Sequence, residues 1–136
     1  MATSDNVVRA GLTPKLRDVD TLVSMLDYNF GPASEFVIEG ASHLGSTHST
    51  LYDTPVPEFS VIRTVLPKGE SEQFAGIKGP SVLIITSGSG KLTGDTHNAS
   101  HIETGHVYFV AANTEITLTA ESSDFCVYRA FCDRVA

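Results

Sequence analysis

A mainly β fold with one amphipathic helix near the N-terminus is the class this sequence predicts, and three observations carry it. Short apolar segments recur from Pro57 to the end, separated by turn residues and not by helical stretches. Only one segment, Val19–Leu22–Val23–Leu26, repeats at the i, i+3, i+4, i+7 spacing of a helix face. The composition, with 41% hydrophobic and 18% charged residues among 136, suits one globular domain and argues against disorder or a coiled coil.

The elements follow in order. Residues 1–16 are irregular, because the Val7–Val8 pair is short and Pro14 interrupts any continuation. Asp18 is a good N-cap for a helix over 18–27, which Asn29, Gly31 and Pro32 stop. So short a helix must pack on something to persist in water. The Ser/Thr/His stretch from Ser42 to Thr50 reads as an exposed connection. Strands are expected at 59–66, 81–86, 107–111, 115–119 and 125–131, with Pro67-Lys68-Gly69, Asn113-Thr114 and Ser122-Ser123-Asp124 as turns. Such strands without helices between them form an antiparallel sandwich or barrel. Ser81–Thr86 is apolar enough to be buried on both faces. Val61, Val65, Val82, Ile84, Val107, Phe109, Ile116, Leu118, Phe125 and Val127 are the expected core.

Charge excludes several partners. Nine basic against 16 acidic residues give a net charge of −7, with no basic stripe for DNA, RNA or an anionic membrane. The longest aliphatic run, Val82-Leu83-Ile84-Ile85, is far short of the ~20 residues that span a bilayer. The first residues have neither a basic nor an apolar signal region. Cys126 and Cys132, on one expected strand, would lie roughly 20 Å apart at ~3.3 Å per residue, beyond the ~7 Å reach of a disulfide. They read as reduced core thiols in a cytoplasmic protein.

The chemistry-bearing candidates are few. Gly88-Ser89-Gly90-Lys91 is not a phosphate loop: Ile85 stands where the first Gly belongs and Leu92 where Ser or Thr belongs. It reads as a Gly-rich hairpin turn. His97, His101, Glu103 and His106 crowd together, but Asn98 replaces the Glu of a His-Glu-x-x-His site, and no His-x-His pair is present. A polar connection carrying solvated histidines is the better reading, and no metal ligand is assigned. Without a Gly-x-Ser-x-Gly elbow, a hydrolase triad has no scaffold. Arg9, flanked by apolar residues with Asp5 before it and Lys15 after, suits an anionic substrate. A guanidinium can stabilise an enediolate bidentately, and an ammonium can neutralise a phosphate. A structural Arg–Asp ion pair would use the same residues.

The stretch Met1-Ala2-x-Ser4-Asp5-Asn6-x-Val8-Arg9-Ala10-Gly11-x-Thr13-Pro14-Lys15 resembles a signature of type I mannose-6-phosphate isomerases. The resemblance continues through Asp18-Val19, Leu22-Val23-x-Met25-Leu26 and Tyr52-Asp53-x-Pro55-x-Pro57-Glu58-Phe59 to Tyr128-Arg129-Ala130-Phe131-Cys132. It implies interconversion of mannose 6-phosphate and fructose 6-phosphate by a zinc-dependent aldose–ketose isomerase. It also implies a cytoplasmic location, GDP-mannose supply, a monomer and a sugar phosphate as the partner. Arg9 matches the family's active-site arginine, and Asp5 and Lys15 match residues near the same pocket. The family's zinc ligands, a Gln-x-His pair, a Glu and a later His, lie upstream of the matching stretch. No zinc is therefore expected on this chain, and the chain alone should not isomerise the sugar. The fold implied is a cupin-like antiparallel jelly roll over 51–136. It is preceded by 1–50, the tail of a catalytic cupin plus a linking helix. The alternative is a non-catalytic, metal-free cupin module with a structural or partner-binding role.

Overall fold

The computed structural model describes residues 7–95 and 98–133. These divide into two compact units, one ending at Val37 and the other starting at Ile38. In the first unit the helix α1 runs Val19–Ser24. Asp18 caps it as the sequence anticipates: its Oδ1 accepts from the Thr21 backbone N–H at 3.0 Å and its Oδ2 from the Thr21 hydroxyl at 2.8 Å. Those two bonds hold the Asp18 carboxyl below its ordinary pKa. The helix is shorter than expected, and Met25 already closes it as the C-cap. A 3₁₀ turn, Ala33–Phe36, follows. No described residue of this unit is buried, and Val19, Val23 and Leu26 of the apolar stripe are exposed.

The second unit is a two-sheet β sandwich. Its strands are β1 (Ala41–Ser42), β2 (Ser49–Tyr52), β3 (Ser60–Leu66), β4 (Ser71–Phe74), β5 (Ser81–Ser87), β6 (Ser89–Gly94), β7 (Asn98–Glu103), β8 (Val107–Val110), β9 (Ile116–Ala120) and β10 (Phe125–Phe131). One sheet has the order β1-β2-β3-β10-β5-β8 and the other β4-β9-β6-β7, with every pairing antiparallel. From β3 onward the chain crosses between sheets at every step except β6 to β7. That is the jelly roll that the resemblance implied. β1, before the boundary expected near residue 50, and β2, which straddles it, extend the larger sheet, β2 pairing onto β3 and β1 onto β2.

The core lies between the sheets. Ile62, Leu66, Leu83, Ile85, Val110, Phe125 and Val127 face inward from the six-stranded sheet; Phe74, Leu92, Ile102, Ile116, Leu118 and Ala120 face them from the other. Six of the ten expected core residues are out of phase. Ile116, Leu118, Phe125 and Val127 are buried, but Val65, Val82, Ile84, Val107 and Phe109 are exposed and Val61 is only half-buried. In β3, β5 and β8 both residue parities are apolar, so alternation alone does not say which set points in. Ser81, Leu83 and Ile85 take the inner face of β5, and the segment is not buried on both sides.

Gly88 is not in a hairpin. β5 belongs to one sheet and β6 to the other, so Gly88, at φ +74°, turns the corner between layers. A Cβ there would come within 2.8 Å of the Phe125 backbone, which is why only glycine fits. The cysteines are likewise not core residues: Cys126 and Cys132 are half-buried thiols, and Cys132 lies just past the end of β10.

Candidate functional site

Arg9 is half-buried in the first unit. Its carbonyl accepts from the Asp18 N–H at 2.8 Å, tying the segment to the helix N-cap. Its guanidinium makes one long bond, Nη1 to the Val7 carbonyl at 3.4 Å. Among the described residues that is its only side-chain hydrogen bond. Lys15 is exposed, its backbone N–H donating to the Thr13 hydroxyl at 3.2 Å. Asp5 lies outside the described residues. The structure therefore places Arg9 and Lys15 on one short segment fastened to α1.

The interior of the sandwich holds a second polar group that the sequence did not disclose. Ser49, Thr64, Ser81 and Arg129 are the buried polar side chains among the described residues. Ser49 Oγ lies 2.8 Å from Thr64 Oγ1 and donates to Glu72 Oε2 at 2.9 Å, linking the two sheets. His43 stacks on Phe74 nearby, its pKa lowered by desolvation; Glu72 opposes that shift and Arg129 adds to it. Arg129, 3% exposed, donates from Nε to the Ser81 hydroxyl at 2.9 Å, and its Nη1 has no hydrogen-bond partner. Burial pulls its pKa down to about 10, so it stays cationic at neutral pH. No ion pair to Arg129 forms among the described residues.

The histidine cluster stands on a strand, not on a loose connection. His101 and Glu103 are in β7, and His106 follows in the turn to β8. His101 reaches Glu103 and Glu121 at 3.6 Å each, His106 reaches Glu103 at 3.7 Å, and Lys91 pairs with Glu121 at 3.2 Å. His106 Nδ1 also lies 3.2 Å from the Tyr108 hydroxyl. The side chains form an exposed chain of charge pairs and do not converge on one point. His97 lies outside the described residues. Among the described residues no three His, Cys, Asp or Glu side chains are placed to hold a metal ion. A cavity of about 460 Å³ opens at one end of the sandwich, lined mainly by Leu92, Ala99, Tyr108, Phe109, Val110 and Ile116. Its lining is mostly apolar, with Asn98, Tyr108 and Thr114 as its polar side chains, and the described residues bring no acid–base pair to it. The described helices include none long and apolar enough to cross a membrane.

Residues 49–97 match the family model for the phosphomannose isomerase type I C-terminal region. The chain is 43% identical over 136 residues to the mannose-6-phosphate isomerase of Schizosaccharomyces pombe, covering 98% of this chain and 33% of that protein. To the Candida albicans mannose-6-phosphate isomerase it is 44% identical over 148 residues, again covering 98% of this chain and 33% of the relative. The chain is similar to the C-terminal third of these mannose-6-phosphate isomerases. It spans about a third of the length of these curated relatives.

The solved structures agree on the fold. A lysine-to-alanine mutant of phosphomannose isomerase from Salmonella typhimurium superposes with a TM-score of 0.75 at 25% identity, over 98% of this chain and 32% of that one. KdgF from a Halomonas species matches at a TM-score of 0.57 and 10% identity, over 71% of this chain and 89% of that one, and shows the fold alone. Within this isomerase-like C-terminal chain, sequence reasoning missed the buried set around Arg129. In the sequence, Tyr128–Cys132 stands out only through the family resemblance. The signal was available: a lone Arg among apolar inward positions of a strand otherwise reading as core.

Proposed function

We propose that this chain serves as the C-terminal third of a cytoplasmic, monomeric mannose-6-phosphate isomerase, acting on mannose 6-phosphate and fructose 6-phosphate for GDP-mannose supply. The observation that carries this is similarity over 98% of the chain at 43% identity to an enzyme of that name. Residues 1–50 complete the catalytic part and 51–136 form the C-terminal jelly roll.

In an aldose–ketose isomerisation a proton leaves the carbon beside the carbonyl, an enediolate forms, and a proton returns to the neighbouring carbon. The chain's own contribution to that sequence is Arg9. Its backbone is fixed to the Asp18 N–H, and among the described residues its guanidinium makes one long bond. A positioned cation stabilises the enediolate oxygen where charge develops in the transition state. Lys15 and Asp5 bind the sugar phosphate, Lys15 as a point charge toward the phosphate and Asp5 as an acceptor for Arg9 or a sugar hydroxyl. Zinc would be held by ligands upstream of this chain, as the resemblance implies, and would polarise the sugar oxygens.

The test is a chimera in which this chain replaces the C-terminal third of the Schizosaccharomyces pombe enzyme. Isomerase activity with zinc is expected from the chimera and none from this chain alone. Arg9→Ala in the chimera should lower kcat far more than it raises KM. A folded, zinc-loaded but inactive chimera refutes the reading and favours the metal-free module; turnover by the isolated chain refutes the division of labour.

A further inference from the structure

The outer face of the six-stranded sheet is apolar, as few solvent-facing antiparallel sheets are. Strand pairing puts Val61, Ala130, Val82 and Phe109 in one row across β3, β10, β5 and β8, and Arg63, Tyr128, Ile84 and Val107 in the next. Val82 and Ile84 are 46% and 40% exposed, Val107 and Phe109 58% and 72%. At one end the face dips into a cavity of about 180 Å³ between Phe59, Val82, Phe109, Ala130 and Phe131, the size of one side chain. The chain carries 16 carboxylates. None stands at an outward position of β2, β3, β10, β5 or β8; the one charge there is Arg63, packed against Cys126 and Tyr128.

We infer that this face, centred on Ile84 and Phe109, is the docking surface for the polypeptide corresponding to the upstream two thirds of a mannose-6-phosphate isomerase. The inference rests on the isomerase reading. A continuous apolar patch of this kind marks an interface, and the cavity beside Phe109 offers a pocket for an anchoring side chain. Two observations choose the occupant. The relatives carry this sequence as about 33% of a longer protein, so a large polypeptide accompanies the same jelly roll in each. A second copy docked through the same face would bring no carboxylate from these strands to pair with Arg63. The fitting partner surface is apolar and includes an acidic residue opposite Arg63.

The experiment co-expresses this chain with the upstream two thirds of the Schizosaccharomyces pombe enzyme as a separate tagged polypeptide. A one-to-one complex is expected by light scattering. Ile84→Asp and Phe109→Asp should each weaken it at least tenfold, while Lys91→Ala, on the other sheet, leaves it unchanged. Each variant should keep the far-UV spectrum and cooperative melting of the parent chain, since the substituted positions are exposed. Full affinity in both Asp variants, no complex at all, or a homodimer of this chain broken by the same substitutions would each overturn the inference. Isomerase activity of the purified complex is read separately. A stable complex that lacks activity leaves the docking face standing and counts against the isomerase reading.

Discussion

Leu83 and Ile84 are neighbours in β5, yet the structure assigns them opposite fates, and truncating each to alanine measures that assignment. Leu83 is 0% exposed and sits in the core between the sheets; Ile84 is 40% exposed on the outer face. Removing a fully buried leucine side chain loses its transfer free energy and leaves a cavity, together about 2–5 kcal/mol. Full burial of an isoleucine is worth about 1.5–3 kcal/mol, and Ile84 already forgoes two fifths of that. Alanine retains the Cβ, and no closed cavity forms on an open face, so Ile84→Ala should cost about 1 kcal/mol or less. For a unit of this size each kcal/mol moves the midpoint by about 4–8 °C. Leu83→Ala should therefore lower the melting temperature of this chain by at least about 8 °C, and Ile84→Ala by less than that. Calorimetry or circular dichroism on the isolated variants decides it. Equal losses, or a larger loss at Ile84, would mean that β5 is seated in the opposite phase and that the outer face is not where the structure puts it.

Two further predictions concern the buried polar set. His43 has its pKa lowered below 6.5 by desolvation, so the unfolded chain takes up the proton first. The fold pays nothing for His43 above pH 6.5, and stability falls as the pH drops through 6.5 toward the lowered folded value. Denaturant midpoints at pH 7.5 and 5.5 should differ more for the native chain than for His43→Gln, and equal differences would remove His43 as the cause. Arg129 is a buried cation whose Nη1 has no partner, and its pKa of about 10 reports a desolvation cost present throughout the physiological range. Replacing a buried charge with an apolar side chain of similar shape is often neutral or stabilising by about 1–4 kcal/mol. Arg129→Met combined with Ser81→Ala should raise the melting temperature at pH 7, and a clear fall would show that Arg129 is paired in solution.

How far the sequence reveals this fold depends on where each strand keeps its apolar residues. β3, β5, β9 and β10 were legible because Val, Ile, Leu and Phe recur along them. The same richness hid the phase of β3 and β5, whose two faces are both apolar. β4, β6 and β7 were invisible for the opposite reason. Ser71–Phe74, Ser89–Gly94 and Asn98–Glu103 contribute Phe74, Leu92 and Ile102 to the core, one large residue each, too few for an alternation signal. β2 was concealed by polarity, since its inward Ser49 is buried by hydrogen bonds to Thr64 and Glu72 and not by apolar contact.

The site was legible in a different way. Nothing in periodicity or spacing separates Arg9 from a surface arginine, and an isolated charge beside two valines has no chemistry of its own. What distinguishes it physically is conformational. Its carbonyl is held by the N-cap residue of a helix, so the guanidinium starts from a fixed root. That tether passes through Asp18, whose side chain closes the helix on Thr21 while its backbone N–H closes the loop on Arg9. A six-residue helix with no buried residue is a poor independent structure. In the proposed enzyme it would serve as a clamp: the cap orders the loop, and the loop presents the cation. The resemblance singles out the same residues, Arg9 and Asp18-Val19, with the intervening Thr13-Pro14-Lys15 as the span between them. Read together, the signature motif describes a tethered loop more than a set of separate contacts. Substitutions at Asp18 should consequently act on Arg9 through its position, leaving its charge untouched.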